Sequence, residues 1–295
     1  MRVRRAVVAF AVLSVLAALG AAFVIARRVS QNIPLRLPTI RACVVDDGSD
    51  TTRGPDAVTL DPAQTANAAT IAAVGLRRGV PARGIVIALA TAWQESKLEN
   101  LSGGDRDSIG LFQQRPSQGW GTREQIANPR YAANAFYTSL LKVRGWQKMR
   151  VTEAAQTVQR SAHPEAYEKW AGKSEVLARA LTGDATGAVA CTVSGQPASR
   201  GPAAVDNLAA SVKLDWGTVT TAPVPDLVGL ALTVRDPKAG WQYAHWLVAH
   251  AEERGVKRVR FGDRQWTAKN GTWERVTDTS GAGNGERVLA EVFAA

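Results

Sequence analysis

Pro81–Ser96 reads PARGIVIALATAWQES. A proline suited to the start of a helix is followed by Ile85, Val86, Ile87, Ala88, Leu89, Ala90, Ala92 and Trp93, which leave almost no polar stripe. A helix that is apolar on nearly every side has to be buried all round, so this one is expected at the centre of its domain. Its wet end carries one carboxylate, Glu95, just after Trp93. Poor solvation disfavours the charged form of a carboxyl and raises its pKa, and the negative end of a helix dipole pushes the same way. A carboxylic acid that keeps its proton near neutral pH is what general-acid cleavage of a glycosidic bond requires.

Other helix signals surround this one. Asp61-Pro62 reads as an N-cap with proline at the first helical position, and Gly79 after Arg77-Arg78 as a stop. Asn128-Pro129 repeats the start signal for a helix with Phe136, Leu140 and Leu141 on one stripe. Thr152-Glu153 begins another, and Pro164 opens a last helix bearing Tyr167, Trp170, Leu177 and Leu181 before Gly183. Five helices and one irregular loop predict a mainly α domain over residues 61–182. The small, flexible residues 183–204 read as a linker. Beyond them, LVGLALTV (Leu227–Val234) is a strand candidate and GWQYAHWLVAHAEERG (Gly240–Gly255) an amphipathic helix. VKRVRFGDRQW and RVLAEVFA alternate with period two. That pattern predicts a small α+β module over residues 205–295.

The N-terminus suggests a location. Ala6 to Ala26 is an uncharged stretch of 21 residues with arginines on both sides, about the length that crosses a bilayer core as a helix. Ile25, Ala26 and two arginines stand where a cleaved signal would have small residues. The expectation is a retained transmembrane anchor over residues 1–28 and a Pro- and Asp-containing stalk over 29–60. The chain would then be a single-pass protein of the cell membrane with its body outside. A transporter is excluded, because one span builds no transport path without oligomerising. Cys43 and Cys191 bracket the whole helical segment, and in an oxidising compartment they would pair. Closing so long a loop is worth up to about 5 kcal/mol in the chain-entropy model; the alternative is two unrelated buried thiols. With three histidines and none near a cysteine pair, neither a zinc site nor a cofactor is expected. Lys and Arg exceed Asp and Glu by 36 to 26, which points to a polyanionic partner. No basic base-reading helix, zinc-finger spacing or phosphate loop is present, so nucleic acid is not that partner; anionic lipid and an anionic cell wall remain.

The residues after Glu95 narrow the chemistry. Glu95-Ser96, then about a dozen residues, then Ser108-Ile109-Gly110-Leu111-Phe112-Gln113 resembles the lysozyme-like lytic transglycosylases of bacterial cell walls. That family pairs a Glu-Ser at a helix end with a downstream Gly-Leu-Met-Gln. AAQTVQRSAHPEAY is similar to its third motif, with Gln159 in place of the usual asparagine and Tyr167 following. The resemblance covers residues 61–182. It implies that Glu95 is general acid and then base, that Ser96 orients the Glu95 carboxylate, and that Gln113, Gln159 and Tyr167 line a groove for peptidoglycan glycan strands. It also implies that one acid suffices, because the sugar's own hydroxyl attacks and leaves a 1,6-anhydro end. A hydrolytic muramidase needs a second carboxylate, for which Asp105 and Asp107 are candidates, although loop turns use such residues equally well. Trp120 and Trp146 are candidates for sugar stacking or for core, and His163, before a proline, for a structural role.

The tail from Gly240 resembles a module of actinobacterial wall proteins that is itself similar to metal-dependent D-Ala-D-Ala peptidases. Those need a His-Asp-His zinc set. Asp236 is present without a matching histidine, and His245 and His250, five apart, face different ways on a helix. The resemblance therefore implies a non-catalytic module whose Trp241, Trp246, Trp266 and Trp273 serve as core. The predicted architecture is a mainly α lysozyme-like domain plus a small α+β C-terminal domain behind one transmembrane helix. The expected partners are glycan strands, the membrane and other cell-wall enzymes. A catalytically silent wall-binding scaffold is the competing expectation.

Overall fold

Asp61 starts α1 (Pro62–Arg77) as its sequence suggests. Its carboxylate accepts from the Gln64 N–H at 2.8 Å, and the Gln64 side-chain oxygen accepts from the Asp61 N–H at 3.0 Å. This reciprocal cap satisfies two donors that a helix end otherwise leaves orphaned. The computed structural model describes residues 42–48, 56–161, 163–193, 195, 197–224, 227–277 and 285–295. After α1 come α2 (Ala82–Ser96), α3 (Arg123–Ile126), α4 (Pro129–Leu140), α5 (Val151–Gln159) and α6 (Ala171–Leu181). Asn128 caps α4 by accepting from the Arg130 N–H at 3.0 Å. The helix expected to open at Pro164 opens only at Ala171. Residues 164–170 are committed to the start of α5 instead: the Thr152 hydroxyl donates to the Pro164 carbonyl, and the Thr152 N–H donates to Glu168 Oε2 at 3.0 Å.

Three short strands close the ends of this helical segment. β1 (Cys43–Val45) lies between β2 (Val58–Leu60) and β3 (Val189–Cys191), all antiparallel. Cys43 stands opposite Cys191 in register and is disulfide-bonded to it, consistent with the expected pairing. Residues 183–204, read as a linker, thus contribute a strand and the start of α7 (Gly201–Trp216).

The remaining chain forms α8 (Pro237–Ala249), α9 (Ala251–Arg254) and a six-stranded antiparallel sheet. The strands are β4 (Thr221–Pro223), β5 (Gly229–Thr233), β6 (Val256–Phe261), β7 (Arg264–Thr267), β8 (Trp273–Arg275) and β9 (Arg287–Val292), in the order β4-β5-β9-β6-β7-β8. Asp236 caps α8 by accepting from the Ala239 N–H at 2.7 Å.

The architecture corrects the predicted fold class. Residues 41–295 are one compact unit, and among the described residues 47% are helix and 16% strand, an α+β fold and not a mainly α domain with a small appendage. The reason lies in α8, which the sequence presented as amphipathic. From Ala239 to Ala249 every residue except half-buried Tyr243 is buried. One side packs on the sheet, where the Trp241 and Phe261 rings meet edge to face at 5.3 Å. The other side meets the helices, where Gln242 Nε2 donates to the Thr182 carbonyl at 2.9 Å and Trp246 Nε1 donates to Asp215 Oδ2 at 2.7 Å. A helix wrapped on both sides joins what lies on either side of it into a single core, and that core runs from Cys43 to Val292. The transmembrane helix expected over residues 1–28 lies outside the described residues. No helix among those described is long and apolar enough to cross a membrane.

Two predictions follow from α8. A Cβ at Gly240 would lie 1.9 Å from Cζ of Phe261, a contact only glycine avoids. Gly240→Ala should therefore destabilise by about 1–3 kcal/mol through overpacking, although alanine favours a helix elsewhere; a denaturant midpoint that rises or stays put would contradict the packing. His245 is fully buried. Its Nε2 accepts from the Ala188 N–H at 2.9 Å, so the ring's proton sits on Nδ1, which donates to the Ala180 carbonyl at 2.8 Å. Burial pushes its pKa down to about 4. The unfolded chain therefore binds a proton that the folded one refuses. Stability should be level above pH 7 and fall between about pH 6.5 and 4, by about 3 kcal/mol at the lower end. His250, depressed first by its own burial, adds in the same direction. Urea titrations at pH 7 and pH 4.5 test the sign.

Candidate functional site

α2 has no solvent side. Ile85, Ile87, Ala88, Leu89, Ala90 and Ala92 are fully buried, which the continuous apolar run required. The helix stops with two consecutive non-glycine residues in the left-handed region, Lys97 at φ 59° and Leu98 at φ 64°. Such backbone costs on the order of 1–3 kcal/mol per residue and persists only where its surroundings hold it. Here α1 holds it: Gln64 Nε2 donates to the Lys97 carbonyl at 2.9 Å, Asn67 Nδ2 donates to the Leu98 carbonyl at 2.8 Å, and the Leu98 side chain is fully buried.

Glu95, half-buried, is on the last turn before this stop. Tyr167 Oη donates to Glu95 Oε1 at 2.7 Å across 72 positions of sequence. Burial above all, then the neighbouring Glu95 charge and the hydrogen bond to it, push the Tyr167 phenol above its ordinary range. The phenol is thus firmly protonated, which fixes it as the donor.

Among the described residues, Ser96 makes no hydrogen bond to the Glu95 carboxylate. Its hydroxyl lies 2.8 Å from the Leu111 carbonyl and 3.0 Å from the Ala92 carbonyl. It ties the Gly-Leu-Phe-Gln segment to the helix end. That segment is a tight antiparallel turn in which Ile109 and Gln114 exchange backbone bonds at 3.0 and 3.1 Å. Gly110 has φ 77°, and a Cβ there would lie 2.8 Å from the Ile126 carbonyl, so both backbone and space demand glycine. Gln113, at φ 45°, turns its amide back to the Gly110 carbonyl at 3.2 Å. Gly104 passes directly over that amide: a methyl group there would sit 1.7 Å from Gln113 Oε1. Gln159 Nε2 donates to the Phe112 carbonyl at 2.8 Å, while Gln159 Oε1 is buried without a partner. Glu95, Ser96, Gln113, Gln159 and Tyr167 are therefore linked through helix end, turn and α5, Ser96 and Gln159 by gripping the turn backbone.

The two candidate second carboxylates behave differently. Asp107 accepts from the Ser117 N–H at 2.8 Å, from Arg115 Nε at 2.9 Å and from the Ser117 hydroxyl at 3.0 Å. Those donors, the Ser117 N–H foremost, hold its carboxyl well below the usual range, which makes it a loop clamp and a poor base. Asp105 keeps 88% of its side chain exposed. Trp146 is buried in the core and His163 is exposed. Trp120 is half-buried on the wall of a cavity of about 740 Å³ that also contains Gln159. A larger cavity of about 970 Å³ lies elsewhere, against Thr70, Arg130 and His250, and Glu95 lines neither.

Next to Glu95 is a feature that sequence reading missed. Trp93 and Trp170 stack at 5.3 Å with planes 14° apart, and Trp170 Nε1 donates to Gln94 Oε1 at 2.9 Å. Lys97 Nζ stands 4.6 Å from the Trp170 ring centre, Lys169 5.4 Å and Lys173 5.8 Å. Burial, then Lys169, lowers the Lys97 pKa against the pull of Glu95. The i, i+4 spacing of Lys169 and Lys173 around Trp170 was the available signal.

In the tail, Asp236 is the cap of α8, and both His245 ring nitrogens are engaged. His250 Nδ1 donates to the Trp246 carbonyl at 2.9 Å, and its Nε2 lies 3.3 Å from the Thr70 hydroxyl. Among the described residues no group of three or more His, Cys, Asp or Glu is arranged to hold a metal ion. No protein-family model matches the chain, and no curated protein is similar to it.

Removing the one hydroxyl that, among the described residues, bonds to the carboxylate gives a direct check. Tyr167→Phe should cost about 0.5–1.5 kcal/mol, the net range for an intramolecular hydrogen bond. A thermal or urea midpoint equal to wild type would show that the contact is not held in solution.

Proposed function

We propose that this protein cuts the glycan strands of peptidoglycan with Glu95 as the acid. The carboxyl protonates the leaving glycosidic oxygen; the sugar's own C6 hydroxyl then attacks C1 and returns its proton to the Glu95 carboxylate. The strand ends in a 1,6-anhydro sugar, and no water enters the balance. The observation that carries this reading is the Tyr167–Glu95 hydrogen bond at 2.7 Å, which joins the ends of a motif set spread along 72 residues. Further support comes from Ser96 and Gln159, which grip the Leu111 and Phe112 carbonyls. A preorganised acid beside a fixed polar turn is what acid–base catalysis on a bound sugar needs. The disulfide supports a site of action outside the reducing cytoplasm. The clamped state of Asp107 and the exposure of Asp105 favour the one-acid route over a hydrolytic muramidase.

The experiment is digestion of purified peptidoglycan with product masses read by mass spectrometry. Wild type should release anhydro-ended fragments, and Glu95→Gln should slow release by at least about 100-fold, within the range general acid–base groups contribute. Reducing-end products would indicate hydrolysis. Wall binding without any product would indicate a silent scaffold.

A further inference from the structure

The cavity of about 740 Å³ at the ends of α4 and α5 has a lining of one sign. Lys142 and Arg144 come from the turn after α4, and Arg160 is the residue at which α5 stops. Among the described residues no carboxylate lines the space. All three cations are exposed, and among the described residues none of their side chains makes a hydrogen bond or ion pair. The side chains of Gln118 and Ser139, which share the lining, make none either, and each has a proton to donate. Like charges gathered on one concave wall repel one another and focus their field into the space they enclose. The cavity is therefore short of an anion that accepts several hydrogen bonds and donates none.

The number of cations selects among anions. A carboxylate offers two oxygens and a single charge. A phosphate monoester offers three terminal oxygens and about −1.5 to −2 charges at neutral pH, so each of the three cations can have an oxygen. Arginine's planar fork grips phosphate at two points, and lysine binds it as a point charge. Trp120, Val143 and Val158 add apolar surface to the same lining, against which an organic body can lie. The volume is in the range of small-ligand sites. We infer that this cavity binds a small phosphate monoester, with Lys142, Arg144 and Arg160 around the phosphoryl group and the organic body against Trp120, Val143 and Val158. Glu95 does not line the cavity, so its occupant is independent of the glycan chemistry proposed above.

The test is calorimetric titration of the full-length protein near neutral pH, at equal ionic strength, with phenyl phosphate, methyl phenyl phosphate, benzoate and inorganic phosphate. The first three keep one ring and change the head group; the last keeps the head group and drops the ring. Phenyl phosphate should bind at least about tenfold more tightly than each of the others, the scale of one charged hydrogen bond. Lys142→Gln/Arg144→Gln should weaken its binding by at least about tenfold. Lys213→Gln/Lys269→Gln removes two exposed charges that do not line the cavity, and should leave binding unchanged. The inference is overturned if wild type does not bind phenyl phosphate, or if both double variants lose equally. It is also overturned if any of the other three probes binds as tightly.

Discussion

A helix without a solvent face can meet water only at its ends. α2 is surrounded by α1, α4, α5 and α6, and the full burial of Ile85, Ile87, Leu89 and Ala92 leaves its C-terminal turn as the place where it can hold a polar group. Burying a Leu or Ile side chain is worth about 1.5–3 kcal/mol, so the registry of this helix is strongly determined, and Glu95 inherits that rigidity. The two left-handed residues that follow, held by Gln64 and Asn67 of α1, turn the chain sharply away. They keep the carboxylate from being carried into the next turn of helix. The carboxylate is thus positioned by packing, and among the described residues Tyr167 supplies its one hydrogen bond.

A second constraint joins the sheet to the helices. Asp215 of α7 is fully buried and pairs with Arg130 of α4, while its other oxygen accepts from Thr70 of α1 at 3.2 Å and Trp246 of α8 at 2.7 Å. Desolvating a charged pair is expensive, and a satisfied buried network is weak evidence for stability as such. Breaking one member would strand the rest, however, so the cluster favours one relative placement of four helices. His245 repeats the device with backbone partners on both ring nitrogens. The tail module is therefore part of the wall on which the helical segment rests.

The chemistry around Glu95 is asymmetric. The two loop carboxylates after Glu95 are clamped or exposed, Asp107 held by Arg115 and Ser117 and Asp105 open to solvent. Basic groups crowd the stacked Trp93–Trp170 pair on one flank, and Lys142, Arg144 and Arg160 surround the cavity beside Gln159. Six basic side chains thus stand in two groups, Lys97, Lys169 and Lys173 around Trp170 and Lys142, Arg144 and Arg160 on the cavity that also contains Gln159. Such a field draws in a polyanion and weakens with salt.

Much of this was legible from residue order. The helix caps at Asp61 and Asn128, the all-round burial of α2, the period-two strands of the tail and the placement of Glu95 at a helix end follow from local stereochemistry and hydrophobic period, which depend on near neighbours in the chain. What residue order left open is everything that depends on a partner far along the chain. Whether Ser96 orients Glu95 or fastens Leu111, whether Asp107 is free or clamped, and whether Pro164 opens a helix were decided by the opposing elements. The same holds for α8, whose composition fits one wet face equally well as none. A side chain's period reports that it will be buried; only the packed fold selects what buries it, because contact energies come from atoms that sequence distance does not bring together.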